Sequence, residues 1–425
     1  MIGGNRKKTF GYSDNFFYAN EVAEFITGLW RPKSNQPLWV IIPYYTYSIV
    51  MFSNGFVYNV CEYLYLKEML KDIPKLLSYI GMCLTHTLGI IKLSIFVFQH
   101  DKLDSIKNRL QHDDFKYASL DENGPSTMFS NEKRFSNYIT YWVFVMYGFV
   151  GVSAHISAVI SLNKALPGNT FEGTNRTCNE FLPYYFLIPF PTKTKNDCIL
   201  ASTFMDLGFA TWGWVIACYD GLYMSLLRCY KIQLIIVGHV VRTLRQRCLL
   251  KLNLNENTEV MHDEEQPELE QEMYNQLNHT IKHVQLLYGV RDDIEDLVVY
   301  VTLIQTLSSL FIFASCLYVA SIVPMSSPEF FAQMQFFTCV LIQLSLICWS
   351  GNEITVAGES LSRALFESDW FSCSRRFKSS MLITMTRTQR PIILTIGKFT
   401  PLTITTLVNV CRGSFSYFAV FKTVK

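Results

Sequence analysis

Side chains able to do chemistry are sparse in this chain, and several sit where they are costly. Asp206, Asp220, His86, Lys92 and His155 each fall inside a long apolar run. A charge in such surroundings must face a partner, the inside of a helix bundle or a water-filled cavity. A second concentration of polar groups lies at the end, in "TPLTITTLVNVCRGSFSYFAVFKTVK". At about 100° per residue, Thr405, Asn409, Arg412, Ser416, Val420 and Thr423 share one helical face, while apolar side chains cover much of the rest. Lipid would not tolerate that stripe. A water-filled pore would need it, and the alternative is packing against polar groups of the same chain.

Enzyme chemistry lacks its parts. There is no nucleophile elbow, no HExxH and no glycine-rich phosphate loop, and histidine–carboxylate pairs are too scattered to define a catalytic site. The 12 cysteines include no CxxC and no Cys/His metal spacing. Cys83, Cys218, Cys316, Cys339, Cys348 and Cys411 lie in apolar runs and read as small buried hydrophobes. No catalytic residue, metal site or cofactor is expected.

The elements that must position the polar groups are membrane helices. Half of the residues are hydrophobic, 15% are aromatic and only 17% are charged, where soluble domains carry about a quarter. A net charge of +2 gives no footprint for nucleic acid. Seven apolar segments approach membrane-helix length: 38–60, 75–98, 138–162, 199–226, 297–323, 330–350 and 399–421. The fold expected is therefore all-α and polytopic, with seven transmembrane helices. The opening 37 residues lack a cleavable signal pattern, so the first run is expected to be both insertion signal and permanent span. The longest polar connection, 227–296, contains the acidic "LNENTEVMHDEEQPELEQE", and that stretch reads as a solvated, disordered insert between two helical extensions. No internal repeat is visible.

Charge sets the orientation. With the N-terminus cytoplasmic, the large majority of the 37 Lys and Arg fall in inside segments, as the positive-inside rule requires. Asn175-Arg176-Thr177, an N-glycosylation acceptor, then lies in an outside loop. Cys178 and Cys198 lie in or beside that loop, either as a disulfide or as two free thiols. An odd number of spans puts the C-terminus outside. Asp220 and Lys92 then fall toward cytoplasmic ends, solvated or paired, whereas Asp206 is nearer the outer end and placed to line a vestibule.

Residues 348–422 carry the most specific pattern. They contain Gly351-Asn352-Glu353, Ala364 with Glu367-Ser368-Asp369-Trp370, Arg387 with Gln389-Arg390-Pro391, Phe399-Thr400-Pro401-Leu402, Thr406 and "SFSYF" at Ser414–Phe418. This tract closely resembles the C-terminal signature of insect odorant receptors. The "TYhhhhhQF" tail of the related gustatory receptors is absent.

The resemblance implies a ligand-gated, non-selective cation channel in the plasma membrane of olfactory sensory neurons. It implies a hetero-tetramer with the shared co-receptor (Orco), a small volatile organic ligand and a pore lined by the last helix. On that basis the chain divides into a cytoplasmic segment 1–37, helices one to six with a ligand pocket in the outer half over 38–350, a cytoplasmic anchor over 351–398, and the pore helix with the extracellular C-terminus over 399–425. Asn409 and Ser416 would line the pore, and Val420, Thr423 and Val424 would form a gate that closes by dewetting. Glu353, Asp369, Trp370 and Arg390 would lie at the subunit interface. An enclosed apolar pocket is what odorants require. The outer helix ends offer Tyr79, Ile80, Cys83, Phe149, Ser153, Ile156, Phe204, Met205, Gly208, Trp212, Tyr318 and Phe337, although ordinary helix packing competes for each. Two other readings are a transporter, which would show repeated halves, and a metabotropic receptor, which would need an outside N-terminus.

Overall fold

The computed structural model describes residues 15–32, 36–165, 170–171, 177–254 and 266–423. In chain order the helices are α1 (Tyr18–Ile26), α2 (Leu38–Met69), α3 (Ile73–Phe98), α4 (His100–Leu110), α5 (Pro125–Ala165), α6 (Lys195–Arg242), α7 (Leu244–Lys251), α8 (Pro267–Ile322), α9 (Pro328–Glu367), α10 (Arg375–Thr388) and α11 (Ile404–Thr423). A two-stranded antiparallel hairpin, β1 (Thr395–Ile396) and β2 (Thr400–Pro401), joins α10 to α11. The expectation of an all-α architecture holds among the described residues.

Local chemistry starts several of these helices. Asp197 N–H donates to Thr194 Oγ1 at 3.2 Å while Asp197 Oδ2 accepts from Thr194 N–H at 2.8 Å, a reciprocal cap that opens α6. Ser327 and Ser374 accept from the amides of Phe330 and Phe377 and start α9 and α10.

Helix α6 is the central post, packed by α2, α3, α5, α8 and α9. It is buried almost without interruption from Thr211 to Tyr230, as expected of a helix that is apolar around most of its circumference. The outer ring differs. Trp39, Ile42, Ile49 and Val50 of α2 and Val145, Phe149, Val152 and Ile160 of α5 are exposed. Such an apolar surface suits hydrocarbon, since lipid imposes no cost on it. By length and composition, α2, α3, α5, α6, α8 and α9 can each cross a membrane. Helix α11 does not reach that measure, because its Thr, Asn, Arg and Ser residues lower its hydropathy.

Within 227–296 the helical extensions read on both sides of the acidic stretch are present: α6 continues to Arg242, α7 follows, and α8 begins at Pro267. The apolar segments mark only the parts of long helices suited to lipid, and the same helices continue as a buried bundle. Three boundaries differ from those read in the sequence. Of the acidic insert, 255–265 lie outside the described residues and Pro267–Glu272 is already helical. The boundary at 350/351 falls inside the continuous helix α9. Residues 399–403 belong to the hairpin and its exit, so the last helix starts at Ile404.

The bundle continuing beyond the apolar segments contains a pH-sensitive element. His283 of α8 is 1% exposed, stacked on Phe115 with ring centroids 4.3 Å apart, and its Nδ1 lies 3.2 Å from the Tyr117 hydroxyl. Burial, reinforced by His279, pushes its pKa down to about 3. Below pH 6.5 the unfolded chain takes up a proton that the folded chain resists, so stability is lost as the pH falls toward 3. Between pH 7 and 5 this site alone should cost about 2 kcal/mol. The melting temperature of the detergent-solubilised protein should fall over that range, and His283→Phe should remove much of the fall. Equal falls in both proteins would contradict this account.

Candidate functional site

The polar groups inside the apolar helices are paired. Lys92 of α3, fully buried, donates to Asp220 Oδ1 of α6 at 2.5 Å. Asp220 Oδ2 accepts from Gln343 Nε2 of α9, also at 2.5 Å. His86 of α3 meets both carboxylate oxygens of Glu62 of α2, at 2.9 and 3.0 Å. His155 of α5 contacts Asp206 of α6, and Ser202 joins them. These contacts tie α2, α3, α5, α6 and α9 together. The sequence expectation of pairing for Asp220 and Lys92 holds, and Asp206 is a half-buried pair member.

Above the Lys92–Asp220–Gln343 cluster, four helices leave a cavity with room of about 40 Å³ for the centre of a water-sized sphere. Helix α3 contributes Met82, Thr85 and His86, and α5 contributes Tyr147 and Val150. Helix α6 contributes Phe209, Gly213 and Ile216, and α9 contributes Phe336, Cys339, Val340 and Gln343. The wall is chiefly apolar and aromatic with a few polar groups, the composition of a small-molecule site. Its size means that an occupant larger than a few heavy atoms must turn flexible wall side chains such as Met82.

None of the twelve pocket candidates named from the sequence lines this cavity. Phe149 and Ile156 face outward, exposed by 66% and 52%. Trp212 is fully buried as a packing residue, its Nε1–H donating to Gly55 O at 3.2 Å. Gly208 serves close approach: a Cβ there would lie 2.4 Å from Tyr58. Met205 and Phe204 pack in a cluster with Phe186, and Tyr318 packs with Leu77 and Phe421. Tyr79 and Cys83 pack together with Met69, and Tyr79 donates to Glu62 O at 2.5 Å. Ile80 is half-buried on the same helix. Ser153 exchanges hydrogen bonds with Gln335, and Phe337 packs on Phe313. Five of the twelve are immediate neighbours of wall residues, one step of about 100° off the inward face.

Helix α11 packs on α8 and α9. Thr406, Val410 and Ser414 are buried against them, while Thr405, Asn409, Arg412, Ser416 and Val420 are exposed. The polar stripe is therefore not consumed by packing within the chain. Thr423 closes the helix, and Val424 lies outside the described residues, as does Asn175. Cys178 and Cys198 are joined by a disulfide with Cα atoms 5.6 Å apart.

The C-terminal motifs meet in space. A Cβ on Gly351 would lie 2.5 Å from Leu402 O, so the glycine lets the entry to α11 press against α9. Glu353 Oε2 accepts from Lys231 at 3.1 Å, beside Glu132 and Arg228, whose guanidinium lies 4.4 Å from the Trp349 ring centre. Asp369 pairs with Arg245 at 3.2 Å. Trp370 stacks on Phe371 with centroids 4.2 Å apart, and Arg390 is exposed.

Known proteins share this pattern and this shape. A family model described as 7tm Odorant receptor matches residues 72–415. Odorant receptor 22b of Drosophila melanogaster is 33% identical over 91 residues, 21% of this chain and 23% of that protein. Odorant receptor 2a of the same organism is 30% identical over 90 residues, again 21% and 23%. The matched stretch thus spans about a quarter of the length of these curated relatives. The solved olfactory receptor OR5 from Machilis hrabei, in complex with eugenol, superposes with a TM-score of 0.73. That superposition covers 97% of this chain and 100% of OR5 at 14% sequence identity, a likeness of fold.

Proposed function

The chain belongs to the 7tm Odorant receptor family, and from that premise we propose that it is the ligand-binding subunit of an odorant-gated, non-selective cation channel. It is a multi-pass membrane protein. It assembles as a hetero-tetramer with the odorant receptor co-receptor (Orco) in the plasma membrane of olfactory sensory neurons and detects a small volatile organic molecule. Seven helices cross the bilayer, with the N-terminus inside and the C-terminus outside. Asn175 is then an outside glycosylation acceptor, next to the Cys178–Cys198 bridge.

The observation that carries this reading is the apolar cavity between α3, α5, α6 and α9 in a member of that family. With the N-terminus inside, the wall residues fall around the middle of their spans, and OR5 holds eugenol in a protein of the same fold. The ligand set is accordingly revised to the wall residues, with Met82, His86, Phe209, Gly213 and Phe336 as its centre. The outward stripe on α11 supports the channel. Asn409 and Ser416 face water, and Val420 with Val424 forms the dewetting gate beside Thr423. Glu353, Asp369, Trp370 and Arg390 lie in the anchor that holds subunits together. The first two are also ion-paired within the chain, which fixes their orientation.

Val420→Ala or Val424→Ala, co-expressed with the co-receptor, should raise basal current or alter the reversal potential. Unchanged currents in both would remove the gate assignment, and silence of the unmodified pair toward every volatile would remove the channel.

A further inference from the structure

His86 is 1% exposed, as is Glu62, whose carboxylate takes up its Nδ1. The ring stands edge-on to Tyr58 and to Phe209, with centroids 5.4 and 5.8 Å away, and forms part of the cavity wall. Its other nitrogen, Nε2, is buried and has no hydrogen-bond partner. A buried polar atom left without a partner costs stability, and such an atom on a cavity wall is a place where an incoming molecule can be recognised.

Charge balance decides whether Nε2 donates or accepts. A neutral imidazole beside an ionised Glu62 would leave a net negative charge in apolar surroundings, a costly arrangement within a bilayer. Two net-neutral arrangements avoid it. In one, an imidazolium faces the carboxylate. In the other, a neutral ring accepts at Nδ1 from a protonated Glu62. Both put a hydrogen on Nε2. Two other polar groups on the wall are already engaged: Thr85 Oγ1 donates to Gly81 O at 3.0 Å, and Gln343 Nε2 donates to Asp220.

We propose that His86 Nε2–H is the hydrogen-bond donor of the ligand site. It tunes this chain to volatiles with an apolar body and one acceptor oxygen, such as ketones, aldehydes, esters or ethers, in preference to hydrocarbons of the same shape. The proposal rests on the reading of the cavity as the ligand site. The apolar body packs against Met82, Phe209 and Phe336, and the oxygen meets Nε2–H. A hydrocarbon of equal shape fills the same space but leaves that donor unpaired, which is where the discrimination arises.

The test is ligand-dependent thermal stabilisation of the full purified chain in detergent, which requires neither gating nor co-receptor. The probes are shape-matched pairs: acetophenone against α-methylstyrene, and 2-heptanone against 2-methyl-1-heptene. On the unmodified protein each ketone should stabilise at a concentration at least about tenfold lower than its alkene partner. In the double variant Glu62→Leu/His86→Phe, which strands no charge, the ketone should lose its advantage, the ketone-to-alkene ratio falling to about one. Tyr147→Phe, which removes a different hydroxyl from the wall, should keep the preference. Equal potencies on the unmodified protein, no stabilisation by either ketone, or a preference surviving in the double variant overturns the proposal. Should the double variant not fold, the ratio on the unmodified protein and on Tyr147→Phe decides. A ketone preference in binding without any evoked current upholds this proposal and removes the channel reading.

Discussion

Replacing Gly213 by Leu should abolish ligand-evoked current while leaving the protein at the cell surface. Gly213 lines the cavity, and a Cβ placed there would meet nothing closer than Tyr147 Cδ1 at 4.0 Å. A larger side chain can therefore grow into empty space without displacing backbone. Filling a void also recovers lost contacts, on the order of 1 kcal/mol for a cavity of this size. The variant should thus melt no lower than the parent protein while its apparent ligand affinity falls by at least about a hundredfold, roughly 3 kcal/mol. Gly213→Ala, one methyl group, should lie between the two. Dose–response curves with surface labelling check this. An unchanged curve at normal surface density would place the ligand elsewhere.

Breaking the Lys92–Asp220 pair should have the largest effect on folding. Lys92→Met leaves the buried Asp220 carboxyl without its cation, with only Gln343 as a partner among the contacts described above. Removing one member of a buried ion pair costs about 3–5 kcal/mol, a large share of the stability of an ordinary protein. Surface expression should collapse. The double change Lys92→Met/Asp220→Leu removes both charges and should recover much of the loss, because a buried pair adds little over well-packed apolar groups. Recovery should be incomplete, since Gln343 Nε2 loses its acceptor at a cost of about 1–3 kcal/mol. Quantifying surface-biotinylated receptor separates the three proteins. Equal abundance of Lys92→Met and the parent would show that the pair is not structural.

How much could be read beforehand depended on what each residue must satisfy. The long apolar segments were legible because lipid selects composition over a whole turn-by-turn stretch, and six of the seven lie in helices able to span. Helical extensions beyond them were legible too; that these pack as a buried bundle was not, because the ends of α6 and α8 alternate charged and apolar residues like any surface helix. The polar face of α11 was visible from spacing alone, since its polar groups recur with the helical period. Which way it faced was not, because pore water and a polar intrachain partner require the same residues.

The cavity wall was missed by a rotation rather than a distance. Aromatic and small residues were chosen by type, yet Trp212, Phe149 and Phe337 stand one residue away from Gly213, Val150 and Phe336. A sharper signal was present. In a membrane helix a buried charge must point inward, so it marks the inner face of its own helix. Counting back from Asp220 by helical steps gives Ile216, Gly213 and Phe209, and counting back from Gln343 gives Cys339, Val340 and Phe336, all of them wall residues. The same count from His86 gives Met82. Glu62 was not singled out, because it lies beyond the apolar stretch read as the first span and nothing in its spacing names His86 as a partner.

The central claim is that this chain supplies the ligand site of an odorant-gated cation channel. The most direct measurement is the current in oocytes expressing the chain alone, the co-receptor alone and both together, challenged with a panel of volatiles. The account predicts a ligand-evoked cation current that depends on the panel member, occurs only with both subunits and persists when G-protein signalling is blocked. A response from both subunits that vanishes under that block would contradict it.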